Sequence, residues 1–130
     1  MRHTVIATLT AIAVGAVLGA WARYGLALWM NGRGAIPWGT FAANAVGGLL
    51  VGLLMGYLSA HRDASPLLRL FFITGFLGAL TTFSTFSAEV TTLLLDGELL
   101  RGLALAALHL LASLALTAIG IGLYKAVASV

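Results

Sequence analysis

The sequence predicts an all-α integral membrane protein of four transmembrane helices, the third of them broken, paired as an antiparallel dual-topology homodimer. Three observations carry this. The 130-residue chain is 61% apolar and 8% charged, with a mean hydropathy of +1.05, whereas about a quarter of a soluble domain is charged. His3 to Ala22, Gly34 to Ala60, Leu70 to Ala88 and Gly102 to Tyr124 are nearly free of charge. Each meets or approaches the roughly 20 residues that a spanning helix needs. The third observation is the placing of Lys and Arg. If the segments alternate in direction, Arg2, Arg62, Arg69 and Lys125 share one face, against Arg33, Arg101 and Arg23 on the other, four against three. So small a positive-inside bias predicts insertion in both orientations and an antiparallel pair, while a single orientation with a weak signal is the other reading. Four short helices also enclose little interior, so a polar lining would face lipid unless a second subunit covered it.

Composition excludes several classes. The first segment is too long for the h-region of a removable signal peptide. Without cysteine there are no disulfides, thiolate metal sites or cysteine nucleophiles. The net charge of +3 comes from seven scattered basic residues, which make no basic stripe for nucleic acid. No Ser/His/Asp set, carboxylate pair or phosphate loop is visible, so no enzyme is expected. The chain reads as a single transmembrane domain, residues 1–130, with helices at about 4–30, 38–59, 67–95 and 102–126.

Helix 1 carries Gly15, Gly19 and Arg23 at i, i+4, i+8, a small-residue seam that ends in a cation. Arg23 either snorkels to the interface or sits at a pore mouth and gathers anions; both readings are open. Asn31-Gly32-Arg33-Gly34 makes a turn and Pro37 opens helix 2. Helix 2 has a stripe of Thr40, Asn44, Gly48, Gly52 and Gly56, polar at one end and flat at the other. An amide inside a membrane must be paired, so Asn44 bridges a broken backbone, faces a wet cavity or links helices. In the loop that follows, His61 beside Arg62 reads as a solvated residue rather than a metal ligand. Helix 4 repeats the polar spacing with His109, Ser113 and Thr117, whose hydroxyls can also bond the preceding turn. No second His or carboxylate stands at ligand spacing from His109, so a transition-metal site is not expected.

Segment 3 is the irregular one. From Gly75 to Glu89 it holds two Gly, five Ser/Thr and three Phe, with Glu89 closing the stretch. Gly75 and Gly78 followed by Thr81-Thr82 predict a break in mid-membrane over Gly75 to Thr81. Unwound backbone survives there only when buried or lining a cavity, and its freed carbonyls can hold a cation. Phe83 and Phe86 point to similar sides among hydroxyls, and aromatic ring edges carry partial positive charge. Glu89 reads as a proton or cation site, as an acceptor for polar side chains, or as a residue near the helix end. The whole inventory of neutral donors, ring edges and one embedded arginine suits a small anion that accepts strong hydrogen bonds.

Asn44 followed by Gly47-Gly48, with Gly75-Phe76-Leu77-Gly78-Ala79-Leu80-Thr81-Thr82-Phe83-Ser84-Thr85-Phe86, resembles the Fluc (CrcB) family of fluoride channels. Gly19-Ala20-Trp21-Ala22-Arg23-Tyr24 fits as well, and the resemblance spans the whole chain. It implies a dual-topology dimer in a prokaryotic inner membrane, with two antiparallel pores and one structural sodium ion at the subunit interface. Phe83 and Phe86 would be the fluoride-facing rings, Asn44 the pore amide near the vestibule and Arg23 the vestibule arginine. Backbone carbonyls of Gly78 and Thr81 would hold the sodium, and Thr40, Ser84 and Ser113 would join a polar track. The implied role is passive fluoride efflux that lowers cytoplasmic fluoride. Two departures stand out: Ala79 where many members have Gly, and Leu105 and His109 where other members can carry a hydroxyl. The rival is a proton-coupled exporter of the small multidrug-resistance type, also four short helices in a dual-topology dimer. That exporter would want an acidic residue in helix 1, where this chain has Arg23.

Overall fold

The structure, a computed structural model, describes residues 2–32, 34 and 36–129. Arg33, assigned above to a loop, lies outside the described residues. Helix α1 is Arg2–Met30 and α2 is Trp38–Ala60. The third span is composite. Its first part, α3, winds as an α-turn over Pro66–Arg69, widens to a π-helix over Leu70–Leu77 and closes with a last turn over Gly78–Leu80. After Thr81 and Thr82 the chain restarts as α4, Phe83–Leu95, and α5 is Leu99–Ala128. Four stretches, Thr4–Met30, Trp38–Ala60, Pro66–Leu95 and Leu99–Ala128, are long and apolar enough to cross a membrane.

Local chemistry sets the turns. Asn31 accepts the Gly39 N–H at 2.7 Å through its side-chain oxygen, which pins the end of α1 to the first turn of α2. Ser65 caps α3 through Leu67 N–H, with Pro66 at the first helical position, where no donor is missed. α4 ends on Gly97 at φ +79°, with Glu98 N–H on Leu93 O at 2.8 Å and Gly97 N–H on Leu94 O at 3.2 Å. That is a Schellman closure, in which glycine tolerates the left-handed turn.

Two seams hold the spans together. On α2 the flat half of the stripe lies on α5: a Cβ at Gly48 would come within 2.9 Å of Ser113 O, and one at Gly52 would meet the Thr117 carbonyl. From the α5 side, a Cβ at Gly120 would meet Leu49 O. Thr117 Oγ1 lies 3.0 Å from Gly48 O and 2.8 Å from Ser113 O, so its one hydrogen is shared across the seam. The second seam joins α1 to α3, where a Cβ at Gly15 would meet Phe71 O and one at Gly19 would meet Phe76 O. These contacts climb both helices in the same direction, so α1 and α3 run parallel. Ala43, Leu77 and Leu80 form a small buried core, with Leu26, Leu50, Val51, Leu54 and Phe76 packed on it. Among the described residues no large side chain is completely buried. The remaining apolar surface of the spans faces outward, as a lipid-facing bundle requires.

The break is present but displaced. The sequence places it over Gly75 to Thr81; Gly75 is buried inside the π-helical stretch, and the extended residues are Thr81 (ψ 152°) and Thr82 (φ −148°, ψ 115°). Gly75 serves close approach instead, since a Cβ there would lie 2.6 Å from Ile12 O.

The seams predict a paired outcome. Gly52→Ala drives a methyl into the α5 backbone and should cost about 1–3 kcal/mol, as overpacking does. Gly122→Ala, with nothing within 4 Å of the added carbon, should be neutral or slightly stabilising. Thermal unfolding midpoints of the two variants in detergent check this.

Candidate functional site

At Thr81–Thr82 the helical ladder stops inside the span, and its donors and acceptors have to be taken up by something else. Asn44, on the polar half of the α2 stripe, takes two of them. Its Oδ1 accepts the Thr82 N–H at 2.7 Å and its Nδ2 donates to the Thr82 carbonyl at 3.1 Å. One amide thus clamps both sides of one peptide residue. Thr82 Oγ1 in turn accepts the Thr85 N–H at 3.1 Å and caps α4, and lies 3.0 Å from Thr85 Oγ1 and 3.4 Å from Ser84 Oγ. On the α3 side, Thr81 N–H and Oγ1 both reach Leu77 O, at 3.0 and 2.8 Å.

These bonds leave carbonyls at the break behind. In an unbroken helix Thr82 N–H would bond Gly78 O, and Thr85 N–H would bond Thr81 O. Here those hydrogens go to Asn44 Oδ1 and Thr82 Oγ1. The Gly78 and Thr81 oxygens therefore lose their helical partners.

One turn from Asn44 on α2, buried Thr40 donates to Glu89 Oε1 at 2.6 Å, while Glu89 Oε2 is buried with no hydrogen-bond partner. Glu89 thus serves as the acceptor for a polar side chain. α5 contributes His109, only 4% exposed. Its Nδ1 lies 3.1 Å from Asn44 Nδ2, and its Nε2 is buried without a partner. The imidazole stacks on Phe86 (centroids 4.8 Å, 30°) and meets the edge of Phe41 at 5.4 Å. With Trp38 on Phe41 at 5.8 Å and Phe83 on Phe86 at 5.5 Å, a run of aromatic contacts extends from the start of α2 to the break.

Beside the clamp lies a cavity of about 640 Å³. Of the residues singled out from sequence, Asn44, Gly78, Thr81, Phe83, Phe86 and Ser113 line it, together with Thr82 and His109. Thr40, Ser84 and Arg23 do not. Thr40 is turned to Glu89, Ser84 is exposed on α4, and Arg23 is half-buried on α1, one turn beyond the Gly19 contact. Every lining residue is uncharged.

Comparison with known proteins places this arrangement. Residues 10–121 match the family model described as "CrcB-like protein, Camphor Resistance (CrcB)". The chain belongs to the CrcB family. It is 52% identical over 121 residues to a protein of Variovorax paradoxus (strain S110), covering 93% of this chain and 97% of that one. It is 50% identical over 116 residues to one of Thiobacillus denitrificans, covering 88% and 92%. A protein of Pseudomonas putida (strain W619) is 48% identical over 118 residues, covering 90% and 93%. All three carry the name "Fluoride-specific ion channel FluC".

In this CrcB chain the sequence reading passed over Thr82 as a clamp and cap, left His109 without a role, and offered the acceptor role of Glu89 as one of three without naming its partner. The Thr82-x-x-Thr85 spacing is the local signal for the cap; the partners of the other two lie far away in sequence.

The clamp should be expensive to remove. Asn44→Ala strands a backbone donor and acceptor at the break, at about 1–3 kcal/mol for each unsatisfied group. A lowered unfolding midpoint, together with hydrogen exchange at the Thr82 amide faster than at amides inside α2, is the expected result.

Proposed function

We propose that this protein is a fluoride-specific channel that lets the anion leave the cytoplasm passively. The observation that carries the reading is the uncharged, mostly apolar cavity at the break, lined also by Phe83, Phe86 and a few neutral polar residues and with no carboxylate. A cation would find no counter-charge on this wall. A small anion finds the positive edges of Phe83 and Phe86 and the N-terminal end of α4, whose dipole favours negative charge. Asn44 and Ser113 stand on the same wall. Thr40 and Ser84 flank it as parts of a polar track, and Arg23 supplies positive charge toward the vestibule. Rejecting chloride requires a narrow path whose donors replace the hydration of a smaller ion. The names of the relatives supply the identity of the anion.

The working unit in this reading is an antiparallel homodimer of both topologies. Phe83 is 81% exposed on the single chain, beside the exposed residues Ser84 and Thr85. Hydroxyl groups facing hydrocarbon are costly, and a second copy would cover them. The unpaired Gly78 and Thr81 carbonyls fit a sodium ion, a hard cation that takes neutral oxygens. Two from each copy would hold it at the interface, where it would tie the two breaks together as a structural charge.

Fluoride efflux from liposomes containing only this protein tests the channel, and no flux overturns it. Phe83→Ile and Phe86→Ile should leave the dimer intact and lower flux by more than about tenfold, a change equivalent to about 1.4 kcal/mol, since each removes a ring whose edge carries partial positive charge. Reporter fusions at the C-terminus should report both orientations in the same cells, and a single orientation would remove dual topology.

A further inference from the structure

Away from the break, where α4 turns into α5, lies a second cavity of about 220 Å³. Arg101, Ala104, Leu105 and Leu108 line it from α5, joined by Leu93 of α4 and Ile36 of the loop before α2. The four α5 residues stand at i, i+3, i+4 and i+7, so they form one stripe along the helix. Leu105 is its floor, 4% exposed, while Arg101, Ala104 and Leu108 are exposed. Arg101 is the third residue of a span, and Leu108 lies about 10 Å deeper along the axis. The cavity is therefore a slot, apolar in its depth and charged at the membrane surface. At the rim Arg101 Nη1 donates to Glu98 Oε1 at 3.2 Å, with the two side chains 61% and 45% exposed. That contact uses one N–H of the guanidinium fork, and an exposed pair of this kind is held weakly. Asp96, exposed in the same turn, adds a second carboxylate. The mouth thus holds one cation beside two anions.

We propose that this slot binds a phospholipid whose headgroup joins a phosphate to a primary ammonium, with one acyl chain on Leu105 and the headgroup across the Glu98–Arg101 pair. The guanidinium fork matches phosphate oxygens, and the ammonium gives its hydrogens to Glu98 and Asp96. A purely anionic headgroup would meet two carboxylates for one cation, and a trimethylated one has no N–H to give. The apolar slot adds affinity for the chain whatever the headgroup, because each methylene leaves water or looser lipid for fixed side chains. Phe83, on the surface assigned above to the second subunit, begins α4, whereas Leu93 lies ten residues and about 15 Å further along it. The slot is thus at a different depth from that surface. It needs neither fluoride nor the pore, so its failure leaves the channel reading untouched.

Native mass spectrometry of the full chain in detergent, titrated with phosphatidylethanolamine, phosphatidylglycerol and phosphatidylcholine of identical acyl chains, tests this. Wild type should bind phosphatidylethanolamine about fivefold tighter than either of the others, the weight of one charge contact at a membrane surface. Glu98→Gln should narrow the preference over phosphatidylglycerol, and Arg101→Gln should weaken all three lipids by about fivefold. Ala104→Phe, which fills the slot from an exposed position, should weaken all three and keep their order. Equal affinity for the three lipids, or a preference that neither Glu98→Gln nor Arg101→Gln moves, overturns the proposal. A second copy in the slot is the competing occupant. The chain has no cysteine, so Ala104→Cys gives a single reporter thiol. Maleimide labelling of that thiol should be slower in phosphatidylethanolamine vesicles than in phosphatidylglycerol vesicles. Equal labelling rates, or a crosslink between two copies through this thiol, overturn the lipid assignment.

Discussion

The structure depends on one contact, the clamp of the Asn44 amide on both sides of Thr82. Inside a bilayer no water takes over the donors and acceptors that a helix releases when it stops, and each one left bare costs several kcal/mol. An asparagine is suited to the task because its oxygen and its NH₂ match a peptide C=O and N–H in complementary order. Once Thr82 is held, its hydroxyl is free to cap α4, and the Gly78 and Thr81 carbonyls are released from the ladder. The restart of the helix, the freed oxygens and the orientation of Phe83 and Phe86 all descend from that pairing.

For the clamp to close, α2 and the break must lie at the same depth, and the two glycine seams see to this. Gly48 and Gly52 let α2 settle on α5 backbone to backbone, which brings His109 and Ser113 level with Asn44. Gly15 and Gly19 do the same for α1 against α3, and with Leu80 in the small core they fix where the third span ends its first half. Close backbone approach fixes the vertical register of helices more tightly than interdigitated side chains would, because neither partner has a rotamer to adjust. The polar half of the α2 stripe can then meet its partners because the flat half has set the height.

Much of this was legible in the sequence wherever cause and effect share a helix. The Thr40–Gly56 spacing announced one face with two characters, and the hydroxyl-rich stretch after Gly78 announced a break. The break itself was displaced by a few residues because glycine has two uses in a membrane helix, unwinding and close packing. Gly75 is spent on Ile12 of α1, a contact 63 residues away in sequence that no local pattern encodes. The same distance hid Thr40–Glu89, 49 positions apart, and Asn44–His109, 65 positions apart. A lone His or Glu in an apolar helix has to find a partner, but spacing within its own helix does not name it. Arg23 shows the converse: its stripe with Gly15 and Gly19 was plain, and that stripe runs along the α3 seam toward the break rather than onto the cavity wall.

Committing the Asn44 amide and the Thr40 and Thr82 hydroxyls to protein partners has a consequence for selectivity. A cavity whose donors are loose can collapse around a small ion or open around a larger one, and it discriminates poorly between them. Here Asn44 cannot turn without releasing a backbone donor and acceptor, Thr82 cannot turn without uncapping α4, and Thr40 is tied to Glu89. The groups that remain adjustable are the rings of Phe83 and Phe86 and the hydroxyl of Ser113. A wall rigid in its hydrogen bonds and movable only in its aromatic edges admits an anion by displacing rings, a motion that costs more for a larger ion than for a smaller one. A preorganised wall needs no further ordering when the ion arrives, so little of the interaction is lost to entropy. On the proposed reading, size discrimination at this site therefore originates in the backbone of the broken helix, because the break is what holds the wall still.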